Sequence, residues 1–438
     1  MFCTFALSYF AELSDIYAMT TIAHLHIEVI NIILCDESIS FKDIMSLAFS
    51  CKKFYNLLTT DNAFWRKKFY QRWPYLREEY DEHLRLENKS FLEQVKAGVK
   101  CKKELWHYLS LMCIHQRFGK LADFDVDFTH FHSLFDPDKS ASFMNYYFFV
   151  NELTNFLTDP PMKSDFRLTL CIKKLFLYLQ RYRLKKKMHE FLNYPEKQQI
   201  LEKAAFILAQ WYQPQKCMSY LYVSTSLQKI AEQVLECLRK ENPAHSIFSI
   251  SEEQLFLWAD NNIDDNHWNS IEGRQIIESL CKVLYNLDFR KAIYKFGCRR
   301  YILQYSYIDC VLQDKIGTTI ILATIYHSVA RRLGIRCDII FHKPNMDYLL
   351  CWRAKYHTTN LKEKECFCID FRRDEETVST NYCPTINSAK YGINEYTKES
   401  PVKVMTYMNI DLYLKSEPKV FIRQSYQELR SLINQIHL

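Results

Sequence analysis

The chain has 438 residues, with 48% hydrophobic and 25% charged side chains, a composition that excludes wholesale disorder and fibrous repeats. Its 57 basic and 51 acidic groups leave a net charge of +6, too small an excess to call for nucleic acid or an anionic membrane as partner. Only 7 glycines are present beside 29 Tyr and 30 Phe, which argues against turn-rich sandwiches, propellers and glycine-rich phosphate loops and makes a mainly α protein the expectation.

Residues 1–23 mix Phe2, Phe5 and Phe10 with Glu12 and Asp15 and have no basic n-region. They are read as a disordered leader rather than a targeting signal. From residue 24 to 73 the apolar positions fall at helical spacing: Leu25, Val29, Ile32 and Ile33 form one stripe, and Ile44, Leu47, Ala48, Cys51 and Phe54 another. Ser40 with Asp43 suits a capping box, and Asp61 can cap a third helix bearing Phe64, Trp65 and Phe69. Three short helices cannot enclose a large core, so part of this apolar surface is expected to face a partner.

Leu25-His26-Ile27-Glu28-Val29, Ile33-Leu34, Asp43-Ile44, Leu47-Ala48, Cys51-Lys52-Lys53-Phe54 and Phe64-Trp65-Arg66 together resemble an F-box. His26 stands where that motif usually has proline. The resemblance implies docking on a Skp adaptor, and through it on a cullin, by Leu25, Glu28, Val29, Ile32, Ile44, Leu47 and Cys51, with Trp65 locking the third helix.

Residues 74–197 read as a helical linker region. A charged stretch from Arg77 to Lys103 has apolar residues at surface-helix intervals, including Leu84, Phe91, Val95 and Leu105, and suggests a spacer. Asp159-Pro160-Pro161 breaks the chain before a helical register of Leu168, Ile172, Leu175, Leu179 and Tyr182. The basic run Arg181, Arg183, Lys185, Lys186 and Lys187 is read as the solvated end of that helix, and His130 with His132 as a surface loop.

Residues 198–375 begin with buried-helix patterns at Leu201–Trp211 and Leu227–Leu238, with further helices expected at 272–287 and 319–333. Gly334 suits a helix end, and Ile335–Phe341, Tyr348–Trp352 and Cys366–Phe371 are short β-rich runs, so this part is expected to be α+β. Gly317-Thr318-Thr319-Ile320-Ile321-Leu322-Ala323, Ala330-Arg331-Arg332-Leu333-Gly334, Leu349-Leu350-Cys351-Trp352 and Ile369-Asp370-Phe371 resemble the SirB-type transglutaminase-like domain, which follows an F-box in the F-box only protein 21-like family. Leu201-Glu202-Lys203-Ala204 also looks like this family. The resemblance sets Thr319 at the position of the catalytic cysteine, Asp347 at that of the histidine and Asp370 at that of the acid, so no catalytic residue is expected. Residues 376–438 are a tail ending in a helix with Tyr426, Leu429, Leu432, Ile433 and Ile436. Relatives carry a further YccV-like barrel for which this chain is expected to be too short.

The resemblance implies the substrate-recognition subunit of a Skp–cullin–F-box ubiquitin ligase. Its inactive transglutaminase-like domain would hold an unknown protein target, without cofactor or metal and away from membranes. Sixteen cysteines with no CxxC framework suit reduced thiols in the cytoplasm or nucleus. The alternatives are a hydrolase or transferase using Thr319 or Cys310 near Asp370, and a helical scaffold that binds only the adaptor.

Overall fold

A computed structural model describes residues 25–74, 76, 90–115, 128, 131–139, 141–158, 166–213, 216, 219–292, 303–342, 347–354, 366–369, 399–415 and 420–436. The chain forms two compact units that divide at residues 179 and 180, inside the long helix Phe166–Asn193. It is mainly helical, as its composition requires. Among the described residues no helix is long and apolar enough to cross a membrane.

The first unit opens with α1 (Ile27–Leu34), α2 (Phe41–Ala48), α3 (Lys52–Thr60) and α4 (Asn62–Arg72). The Ser40 and Asp43 capping box is present in both directions, and Asp61 accepts the Phe64 N–H at 2.9 Å. The stripe from Ile44 to Phe54, read as one helix, is broken in two. Ser50 turns its hydroxyl onto the Leu47 carbonyl at 2.7 Å and Cys51 is extended, so the backbone restarts as α3. Next come α5 (Phe91–His115), the short α6 (His132–Phe135), α7 (Phe143–Thr158) and α8 (Phe166–Asn193).

α5 is no spacer. It buries Phe91, Leu92, Val95, Leu105 and Leu109 and packs on α4 and α7. The reason is aromatic: Phe69 of α4 meets Phe91 at 5.6 Å and Phe148 at 6.2 Å, so the charged-looking stretch has an apolar side to cover. Arg77 to Lys89 lie outside the described residues. The basic run sits within α8 rather than at its end, and Arg181 is tied down by Glu428 at 3.7 Å and by Ser425 Oγ at 3.0 Å.

In the second unit α9 (Leu201–Tyr212), α10 (Tyr220–Glu241), α11 (Glu252–Asp260), α12 (Ser270–Asn286) and α13 (Ile308–Asp314) surround α14 (Thr319–Arg332). Every residue of α14 but His327 is buried, which explains its nearly continuous apolar sequence. Two parallel residue pairs join β1 (Arg290–Lys291) to β2 (Ile316–Gly317) just before it. Gly334 closes α14 at φ +73°, where its N–H reaches the Arg331 carbonyl and the Ile335 N–H reaches that of Ala330, both at 3.0 Å.

An antiparallel sheet follows in the order β3 (Cys337–His342), β4 (Asp347–Arg353), β5 (Cys366–Ile369). Its register pairs Ile339 with Leu350 and Leu350 with Ile369, side chains that face the helices with Cys337 and Trp352. Alternation sends Ile340, Leu349, Cys351 and Cys368 to the other face, where they form a separate small cluster. Cys351 and Cys368 lie opposite each other and are joined by a disulfide, against the expectation of uniformly reduced thiols. Finally α15 (Pro401–Lys415) and α16 (Val420–Ile436) pack on α9.

Candidate functional site

On α1, Ile30 and Leu34 turn inward, while Leu25, Val29 (41% exposed), Ile32 (71%) and Ile33 stay in solvent. Ile32, the most exposed of them, forgoes on the order of 1–2 kcal/mol of burial. Glu28 and Cys51 are exposed and Leu47 is half-buried. Ile44, expected on this docking face, is fully buried instead: it is the inward position of α2, one turn from buried Ala48. Trp65 is also core, and its indole N–H donates to the Leu58 carbonyl, which fixes α4 against α3. The sequence reading missed Phe49 and Tyr55, both exposed, with rings 6.1 Å apart. Phe49 is visible only once the helix break at Ser50 is known.

Beneath this face the turn after α1 is held by side chains of α4. Lys68 Nζ donates to the carbonyls of Asp36 (2.8 Å) and Ile39 (3.0 Å), and Gln71 Nε2 donates to that of Cys35 (2.7 Å). Burial lowers the Lys68 pKa, but the two carbonyl acceptors replace part of the ammonium's solvation. Asn31 Nδ2 ties α1 to Asp61 at 3.2 Å.

In the second unit, Thr319 is the first residue of α14 and is buried. A Cβ on Gly317 would stand 2.7 Å from Val311 Cγ1, so the chain needs glycine to enter the helix here. Asp347 opens β4 opposite His342; its side chain and all of Asp370 lie outside the described residues. Cys310 is half-buried on α13, where burial and then Asp309 push its thiol up to about 11, although Lys216 Nζ stands 3.7 Å from the sulfur. A thiol held that high is protonated at neutral pH and a poor nucleophile. Lys216 shares its ammonium with Asp309 Oδ2, at 2.5 Å. Among the described residues no group of three His, Cys, Asp or Glu could hold a metal.

A cavity of about 40 Å³ lies at the far end of α14 from Thr319, lined among others by His327, Arg331, Arg336, Asp338 and Glu399. Beside it is an ionic cluster that the sequence reading did not foresee. Glu202 of α9, Arg331 and Arg332 are all buried. Arg332 grips the carboxylate with both terminal nitrogens, at 2.7 and 2.5 Å, and Arg331 Nη2 adds a third bond at 3.0 Å. Tyr220 OH of α10 donates to Glu202 Oε1 at 3.1 Å, and Arg331 Nη1 donates to the Trp258 carbonyl of α11. Burial alone would raise the Glu202 carboxyl, but the two guanidiniums outweigh it and hold the group well below the usual carboxylate range.

Comparison with known proteins finds one family and several relatives. Residues 223–345 match the profile of the Transglutaminase-like superfamily. The chain is 22% identical over 420 residues to F-box only protein 21 of Mus musculus (93% of this chain, 60% of that protein) and 22% identical over 433 residues to that of Homo sapiens (96% and 62%). It spans about 60% of the length of these curated relatives. No solved structure matches. The relatives found by comparison carry the name of the family that the residues resemble.

Proposed function

We propose that this chain is a receptor subunit of a Skp–cullin–F-box ubiquitin ligase, docking on the adaptor through Leu25, Glu28, Val29, Ile32, Leu47 and Cys51 and presenting an unidentified protein target from its second unit. The carrying observation is the solvent-exposed side of α1, with Ile32 71% and Val29 41% exposed while Ile30 and Leu34 are core. A helix divided in this way keeps an apolar stripe free for a partner. The chain itself makes and breaks no bond on this reading. Buried Thr319 at the nucleophile position and a Cys310 thiol raised to about 11 both speak for a non-catalytic role. Its contribution is proximity, which raises the effective concentration of target near the conjugating enzyme.

The test is co-purification of the full chain with a Skp adaptor, wild type against Val29→Asp/Ile32→Asp. Both positions are exposed, so folding should be unaffected. Loss of a stable one-to-one complex in size-exclusion chromatography is expected, and undiminished binding by the variant would sink the proposal. If adaptor binds but cullin does not follow, the scaffold reading replaces it.

A further inference from the structure

We propose that the outer face of α11 is a docking surface for a basic, apolar-rich segment of another protein. The proposal is independent of the F-box reading and concerns only the second unit. α11 is anchored firmly on its inner side. Ser251 caps it by accepting the Gln254 N–H, Trp258 packs among His267, Trp268 and the Gly334 backbone, and the Trp258 carbonyl is held by Arg331. The outer side is made of Glu252, Glu253, Phe256, Leu257 and Asp260, all exposed. Spacing of one, three and four residues puts these five on one face. Two are large apolar side chains, Phe256 at 69% and Leu257 at 57% exposure, enclosed at both ends by carboxylates.

The charge of this stretch of sequence is one-sided. From Ser251 to Gly273 the sequence has Glu252, Glu253, Asp260, Asp264, Asp265 and Glu272 but no Lys or Arg, in a chain whose net charge is +6. Lys197 reaches Asp264 at 3.9 Å and Asp260 lies in the field of Arg332, whereas among the described residues no ion pair engages Glu252 or Glu253. Ile271, in the first turn of α12, adds a third apolar side chain at 70% exposure in this acid-only segment. A rigid helix with an apolar centre and acidic ends complements a cationic amphipathic segment, which buries its apolar side on Phe256 and Leu257 while its ammonium or guanidinium groups meet the acids. The same charges repel an anionic lipid surface.

The probe is a fluorescein-labelled 18-residue amphipathic peptide of Leu and Lys, titrated by anisotropy against the full chain. Binding is expected to weaken at least tenfold with Phe256→Ser/Leu257→Ser and with Glu252→Lys/Glu253→Lys, and to be unchanged with Ile32→Asp on α1. Peptides with Glu for Lys, or Ser for Leu, are expected to bind at least tenfold more weakly. Each variant should keep the wild-type melting temperature, since these side chains touch solvent. Unchanged affinity in either double variant, equal binding of the Ser-for-Leu peptide, or no binding at all overturns the proposal. A concentration-dependent dimer abolished by Phe256→Ser/Leu257→Ser also overturns it, assigning the face to a second copy.

Discussion

Glu202 shows what a single residue can decide. Its carboxylate satisfies two guanidiniums in a place water does not reach, so removing it leaves both cations buried and unpaired, which typically costs 3–5 kcal/mol or more. Glu202→Ala is therefore expected to unfold the second unit or lower its melting temperature steeply, while Glu202→Ala/Arg331→Met/Arg332→Leu should recover much of the loss; differential scanning calorimetry on the two variants checks this. The pH dependence has a definite sign. A folded pKa depressed below the ordinary 4.5 gives stabilisation that is complete above pH 4.5 and is lost as pH falls below it. The sequence displayed both halves, Glu202 in the Leu201–Ala204 segment and Arg331-Arg332 ahead of Gly334, but their pairing spans 129 positions and no periodicity reports it. Ile44 and Ile32 illustrate the same limit at close range. Both belong to apolar stripes, and only packing reveals that one is core and the other surface.

At the scale of elements, caps and periodicity were the readable features. Ser40, Asp61 and Gly334 mark helix ends that the structure contains, because capping and a left-handed C′ residue are local matters. The break at Ser50 was not readable, since the turn there, with the Ser50 hydroxyl on the Leu47 carbonyl and Cys51 extended, leaves no mark in the apolar spacing. Nor was the cysteine pairing. β4 and β5 bring Cys351 and Cys368 into register across 17 residues, a tertiary consequence of strand alignment. In the chain-entropy account a loop of that size contributes about 3 kcal/mol by restricting the unfolded state. Cys351→Ser/Cys368→Ser is expected to lower the stability of the second unit by that amount, read as a shift of the urea midpoint without reductant. Wild type in excess dithiothreitol should fall to the same midpoint, and no shift in either would mean the sheet does not depend on the bond.

At the scale of the molecule, mainly helical architecture followed by a small late sheet was legible from scarce glycine and from the switch of periodicity after Gly334. The place of the last residues was only partly so. Trp211 Nε1 donates to the Ser425 carbonyl at 3.1 Å, Tyr212 OH donates to Asn409 Oδ1 at 2.6 Å, and Leu429 and Ile433 are buried in the same core as α14. Losing two buried aliphatic residues costs on the order of 2–5 kcal/mol each, comparable with the 5–15 kcal/mol that holds a typical domain. Ending the chain at residue 419 should therefore abolish cooperative unfolding of the second unit and raise binding of a hydrophobic dye; a truncated protein that still melts in one sharp transition would contradict the packing described. This dependence also fixes an order of events during synthesis. Glu202 and Trp211 are made long before Arg331, Arg332 and Ser425, and at about 5–20 residues per second the last of these follows Trp211 by roughly 10–45 s. Until Arg331 and Arg332 emerge the carboxylate stays in water, and until Ser425 follows one side of α9 stays bare, so this half of the nascent polypeptide presents uncovered apolar surface to chaperones through that interval.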